Sequence, residues 1–296
     1  MRQKFTLYWH SMLCLLTPGL AVAGNVTSYY PDLEAAAWTL NDSVFECRLE
    51  QSIPGLGQAV FSREAGAALT FYLDVVDSPL AAGRALLSSQ PPQWRTELGV
   101  RDIAYVDVVA DVRPVTLDSG TSQRIIAELG RGMVPTLMRQ AWYSPEESIH
   151  VGLSPVKFSA AYEQYKSCLS GLLPVNFSQI ERSTVFWESN QRELSAGQRQ
   201  QLDDIVTYLE ADTSVHTIDI NGFTDSAGRA RENLELSRIR AFQVHNYLVS
   251  HGVPEDMLNT RYFGATPEFR IVRNERSADD RDRNRRVTLR LHRDDD

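Results

Sequence analysis

The sequence predicts an α+β protein of two domains: an antiparallel β-rich domain with two short helices, then a domain in βαβαβαβ order with helices packed on a sheet. Three observations carry that prediction. Up to about residue 172, runs alternate apolar and polar residues one by one, and Pro- and Gly-rich turn signals separate them. Beyond Pro174 the pattern changes to strand-like runs alternating with helix-like ones. Ahead of both, the first residues read as a leader that takes no part in the fold.

In that leader Arg2 and Lys4 precede an apolar run centred on Met12 to Leu16, Pro18 and Gly19 break the run, and Ala21-Val22-Ala23 fits a small-x-small cleavage site. This is the pattern of a secretory signal peptide over residues 1–23, cut after Ala23. An uncleaved anchor would need about 20 apolar residues, and the run is shorter than that. Cys14 is not preceded by the small residues of a lipoprotein signal, and no later segment is long and apolar enough to span a bilayer as a helix. The mature chain is therefore expected in an exported, oxidising compartment. Of three cysteines, Cys14 leaves with the leader. Cys47 and Cys168 remain, either as a disulfide or as two buried thiols. A bridge between them would close a loop worth about 4–5 kcal/mol in the chain-entropy model.

Residues 24–173 form the β-rich domain. "ALTFYLDVV" puts Leu69, Phe71, Leu73 and Val75 on one face, and "IAYVDVVADV" and "SIHVGLSPVKF" read as further strands. "IPGLG", "SQPPQW" and "YSPEES" are turn signals. Helices are predicted over Ser122 to Leu129 and over Ala160 to Leu172. Residues 174–296 form the second domain. "STVFWES", "HTIDINGF", "NTRYFGA" and "RRVTLRL" are its strands. The first helix follows Ser195 as N-cap, the second runs from about Gly228 to Ser250, and a short polar helix precedes the last strand.

The stretch "NGFTDSAGRARENLELSRIR" draws attention within this pattern. Asp225 lies just past the central strand. Asn233, Ser237 and Arg240 fall at i, i+4 and i+7 of the following helix and so share a face. Side chains on a helix lean toward its N-terminus, so a carboxylate and a guanidinium are expected along one rim. The residues alone leave two readings open. One is an Asp225–Arg240 pair that stabilises a loop. The other is a site for a zwitterionic group, its ammonium on Asp225 and its carboxylate on Arg240.

From about Val185 to Leu291 the ordered set "FTD" (Phe223 to Asp225), Gly228, Asn233, "LS" (Leu236, Ser237), Arg240-Ala241, "YL" (Tyr247, Leu248), Gly252, Gly264, Pro267 and "NRRV" (Asn284 to Val287) resembles the OmpA-like peptidoglycan-binding domain. The resemblance implies a mixed sheet. It also implies that Asp225 and Arg240 grip the amino and carboxylate groups of diaminopimelate in the peptidoglycan stem peptide. Thr224, Asn233 and Asn190 match positions lining the same pocket. Arg285 and Arg286 match the terminal strand motif, and Arg286 is carried as a candidate, with a structural role equally open. The chain departs from the family pattern at Phe223, where His is usual, at Tyr262, which replaces a Gly, and at Asp280, which also replaces a Gly. "ECRLEQSIPGLGQAVFSREAG", "PPQWR" and "VGLSPVKFSAAYEQYKSCLSGLLPVNFSQI" together resemble a periplasmic protein family of the bacterial flagellar motor. That resemblance agrees with a Cys47–Cys168 bridge. It implies a part in rings around the basal body that help hold the stator complexes, with the first domain facing basal-body ring and stator proteins and the second gripping the wall.

The remaining features point away from other classes. With 38 Asp and Glu against 30 Lys and Arg, the net charge is −8, which argues against nucleic acid as the main partner. "ERSADDRDRNRR" interleaves its arginines with acids and reads as a solvated, self-paired segment. The six His, His216 and His245 among them, show no metal-ligand spacing, so no metal or cofactor is expected. No HExxH, GxSxG or phosphate loop is present, so no catalytic residue is named and the protein is read as a non-enzymatic scaffold. Trp38, Trp94 and Trp142 read as core or domain-packing residues. Two rivals remain. One is an outer-membrane barrel with an OmpA-like tail, disfavoured by the helices, Pro-rich turns and cysteines. The other is a wall-modifying enzyme, disfavoured by the lack of a nucleophile–base constellation.

Overall fold

The computed structural model describes residues 25–95 and 97–293. The expected signal peptide, its expected cleavage site and Cys14 lie outside the described residues. Up to residue 152 the chain forms β1 (Asn25–Tyr29), β2 (Thr39–Asp42), β3 (Glu46–Ile53), β4 (Gly57–Glu64), β5 (Thr70–Val75), β6 (Gly83–Gln90), β7 (Arg101–Val108), β8 (Thr116–Leu117), α1 (Ser119–Gly130), β9 (Val134–Gln140) and β10 (Glu147–Gly152). Then come α2 (Phe158–Leu169), α3 (Phe177–Ile180), β11 (Arg182–Phe186), α4 (Ala196–Ala211), β12 (Val215–Phe223), α5 (Ala230–Ser250), β13 (Leu258–Tyr262), α6 (Ala278–Asn284) and β14 (Arg286–Arg293).

The first ten strands form two open five-stranded sheets, in the orders β1-β10-β9-β6-β7 and β2-β3-β4-β5-β8. Pairing is antiparallel as expected, except that β1 runs parallel to β10. β3 and β4 form a hairpin about the "IPGLG" turn, where Gly55 has φ +75°. Both sheets contribute to one core, with Leu49, Phe61 and Leu73 from one and Leu87, Leu137 and Ile149 from the other. Ile125 and Leu129 of α1 and Phe158 and Tyr165 of α2 complete it. α2 carries Cys168, which is disulfide-bonded to Cys47 of β3 with 6.1 Å between Cα atoms.

Several local expectations are corrected. "SIHVGLSPVKF" is strand only as far as Gly152. Lys157 then takes a left-handed backbone (φ +60°), and the helix starts at Phe158 rather than Ala160. Trp38 is buried and donates its indole N–H to the Ser154 carbonyl at 2.9 Å, but Trp94 and Trp142 are 55% and 68% exposed and fill no core. The second helix of the C-terminal unit starts at Ala230, because Gly228 (φ +87°) sits in a turn that a right-handed helix excludes.

The C-terminal unit forms a mixed sheet in the order β11-β14-β12-β13, with only the β12–β13 pair parallel. Its separate core includes Val185, Leu202, Ile205, Ile218, Ile220, Val244, Leu248, Val287 and Leu289. α5 lies close on β12: a Cβ added at Gly222 would come 2.4 Å from the Ser237 carbonyl oxygen. A Cβ added at Gly264 (φ +58°) would come 3.0 Å from the Leu234 backbone nitrogen. These approaches lock the helix bearing Arg240 against the strand that ends at the Asp225 loop. α4 begins with a reciprocal capping box between Ser195 and Gln198, and the Gln198 side chain also donates to the Phe186 carbonyl. Ser195→Ala should therefore lower stability by about 1 kcal/mol, read as a lower urea midpoint with unchanged slope. An unchanged midpoint would show that the cap contributes nothing.

The two units touch. The Gln179 amide donates to the Gly66 carbonyl, and Phe45 packs edge-on against Tyr208.

Candidate functional site

Three segments converge at one end of the mixed sheet. They are the loop after β12, the loop after β11 and the connection from α6 into β14. The β12 loop exists because Phe223 ends the strand and Thr224 donates its N–H to the Gly264 carbonyl, which turns the chain back toward α5. Asp225 then accepts the Ala227 N–H at 3.0 Å on Oδ1, and Asn233 of α5 donates to the carbonyls of Asp225 (3.3 Å) and Ala227 (2.8 Å). Thr224, Asp225, Asn233 and Arg240 are all buried.

The structure separates the two charges that the sequence placed together. Asp225 forms its ion pair with Arg285, Oδ2 to Nη1 at 2.7 Å, rather than with Arg240. Arg285 also pairs with Asp282 and donates from Nε to the Trp187 carbonyl at 3.1 Å. Arg240 turns toward the β11 loop, donating from Nε to the Gln191 carbonyl (3.0 Å) and from Nη2 to the Glu188 carbonyl (2.8 Å). It lies over the Trp187 ring, 5.4 Å from the centroid. Its Nη1 is buried with no partner, as is the Thr224 hydroxyl.

Arg240 is 0% exposed, yet both atoms that accept from it are neutral carbonyls. Burial, with added repulsion from Arg285 and partial relief from Asp225, pushes its pKa down to about 10. It remains cationic at neutral pH. Asp225 and Asp282 both pair with Arg285, so Arg240 has no direct ion-pair partner and its buried Nη1 has no acceptor. An acceptor reaching Nη1 would complete the hydrogen bonds of this guanidinium, and the Asp225 carboxylate lies near enough for its charge to be felt by Arg240.

Of the other candidates, Asn190 is exposed with a left-handed backbone (φ +60°), in the same turn whose Glu188 and Gln191 carbonyls hold Arg240. Arg286 faces away from Asp225. Its guanidinium lies 4.2 Å over the Phe223 ring and donates to the Phe269 carbonyl at 2.6 Å, within a cluster of Phe223, Phe263 and Phe269. The arginine that reaches Asp225 is its neighbour Arg285. Both stand in "NRRV", but Arg285 caps α6 and Arg286 opens β14, so their side chains diverge. Strand alternation across the motif was the signal that distinguishes them. Among the described residues, no group of His, Cys, Asp and Glu could hold a metal ion. Among the same residues no helix is long and apolar enough to cross a membrane.

Comparison with known proteins meets this geometry from another side. Residues 29–174 match the family model described as MotY N-terminal domain, and residues 186–285 match the OmpA family. The chain carries a MotY N-terminal domain followed by an OmpA-family domain. It is 28% identical over 291 residues to the sodium-type flagellar protein MotY of Vibrio parahaemolyticus, spanning 95% of this chain and 96% of that protein. The OmpA-family domain is also similar to outer membrane protein A of Serratia marcescens, 36% identical over 84 residues, which is 28% of this chain and 23% of that one. A crystal structure of the peptidoglycan-associated lipoprotein from Burkholderia pseudomallei aligns with 25% identity and a TM-score of 0.34, covering 37% of this chain and 89% of that one. The matched OmpA-family span contains Asp225, Arg240 and Arg285, and the matched MotY N-terminal span contains both bridged cysteines.

Proposed function

We propose that this chain is a periplasmic scaffold of the flagellar motor. Residues 174–296 grip peptidoglycan, and residues 24–173 dock onto basal-body ring and stator proteins to help retain the stators. The observation that carries the wall-binding half is the buried Arg240 guanidinium with an unpartnered Nη1 beside a carboxylate. The carboxylate of a diaminopimelate group supplies the missing counter-charge through Nη1 and the second hydrogen of Nη2. The ammonium of the same group takes lone pairs of Asp225 left free by Arg285 and Ala227. Arg285 can accommodate the newcomer because Asp282 offers it a second partner. The role is binding rather than catalysis. The motor half is supported by similarity to a flagellar protein over nearly the whole chain.

The division of labour is testable with fragments, because each unit has its own core. Residues 174–296 should fold alone and pellet with purified wall sacculi. Residues 24–173 should fold alone, remain in the supernatant, and still co-purify with flagellar basal bodies. Pelleting of the N-terminal fragment to the level of the full chain would overturn the assignment.

A further inference from the structure

A second carboxylate stands behind the Asp225 loop. Glu275 accepts the Ser226 N–H at 2.9 Å and the Ser226 hydroxyl at 2.6 Å on Oε2, while its Oε1 lies 3.2 Å from the same N–H. Asn284, wholly buried, donates to Oε1 at 2.5 Å. The same Asn284 closes the loop that carries Glu275, donating to the Val272 carbonyl (2.8 Å) and accepting the Val272 N–H (3.1 Å). Two neighbours, Asn284 and Arg285, thus hold two neighbours, Ser226 and Asp225. Arg285 acts directly, and Asn284 acts through Glu275.

We propose that Glu275 is a positioning residue for the wall-binding site, acting on the ligand's ammonium through Asp225; this rests on the function proposed above. The Asp225 carboxylate is oriented by the turn in which its Oδ1 takes the Ala227 N–H, and Ser226 is the residue between them. Fixing the Ser226 amide fixes that turn, and the carboxylate with it. Three donor groups converge on Glu275, and only an ionised carboxylate has acceptors for all of them. A glutamine would place an NH2 group against one of them. Burial raises the Glu275 pKa, but the hydrogen bonds from Ser226 and Asn284 outweigh this and hold it below the usual range. Glu275 is therefore charged at neutral pH.

The test uses the full mature chain and a muramyl tripeptide ending in meso-diaminopimelate, titrated by calorimetry or, for weak variants, by NMR to millimolar ligand. Glu275→Gln should weaken binding about tenfold. The same change made on Asp225→Asn should weaken it no further, because its effect passes through the Asp225 carboxylate. A Glu275→Gln chain that binds as wild type, or that loses as much on the Asp225→Asn background, overturns the positioning role alone. An Asp225→Asn chain that binds as wild type overturns the site and the positioning role together. If Glu275→Gln does not accumulate, Ser226→Ala removes the hydroxyl link and leaves the grip of Asn284 in place. It should show the same dependence on Asp225 with a few-fold loss, and wild-type affinity in Ser226→Ala would then overturn the role.

Discussion

Arg240→Ala is expected to abolish pelleting with wall sacculi and to lower the melting temperature by less than Asp225→Ala does. The reason lies in the partners. Removing the Arg240 side chain strands no carboxylate, because Asp225 keeps Arg285, and it relieves the fold of a buried cation that has no direct ion-pair partner. What is lost within the protein is two hydrogen bonds to carbonyls, the contact with the Trp187 ring and the packing of a wholly buried side chain. What is lost to the ligand is a desolvated charge pair, typically about 2–5 kcal/mol, or roughly thirty- to several-thousand-fold in affinity. Arg240→Lys should also bind poorly, since an ammonium cannot hold both loop carbonyls and still offer a planar fork to a carboxylate. Asp225→Ala should behave differently. It breaks a buried ion pair whose side chains are only 10% and 11% exposed, so it should melt early as well as bind weakly. Melting temperature set against pelleting for the three variants decides the matter. An Arg240→Ala chain that melts early but pellets normally would make this arginine a structural residue and sink the wall-binding reading.

The second large effect concerns the disulfide. Cys47→Ser should lower the melting temperature of the MotY N-terminal domain by about 5–20 °C, from a loss of about 2–5 kcal/mol in a domain of this size. The OmpA-family domain should melt where it did, because its core shares no residue with the bridged one. The bridge fixes α2 to β3 across a sequence separation of 121, and Cys47 is wholly buried, so the mutant also leaves a hydroxyl and a thiol inside. Calorimetry of the intact chain should show one transition shift and the other hold. Two transitions that both hold, or both cysteines alkylatable in the native unreduced protein, would be the contrary result.

The two domains differ in how much of their structure the sequence reveals. α4 was legible to the residue because Ser195 and Gln198 form a capping box that needs only local chain. β12 and the loop after it were legible because an apolar run ends at Thr224-Asp225 ahead of a glycine. β6 and β9 were not singled out. "RALLSSQ" and "TLMRQ" lie inside the first sheet, where Ser88 and Thr136 are wholly buried, so burial there does not follow polarity. The parallel pairing of β1 with β10 was equally hidden, since the partners lie about 120 residues apart and nothing local specifies direction.

By itself the sequence raised the expectation of an exported chain, and it determined the β-rich to βαβ change near Pro174, Cys47 and Cys168 as a candidate pair, and Asp225 and Arg240 as candidate site residues. These follow from local periodicity, turn chemistry and residue type. Only the tertiary structure decided that Asp225 pairs with Arg285 and that Arg240 stays without a direct ion-pair partner. That assignment depends on how α6 delivers Arg285 across the sheet and on where the carbonyls of the β11 loop stop. Ion pairs form between whichever charges the packed backbone brings within about 4 Å, and a distance of that kind is not written in the order of residues along the chain.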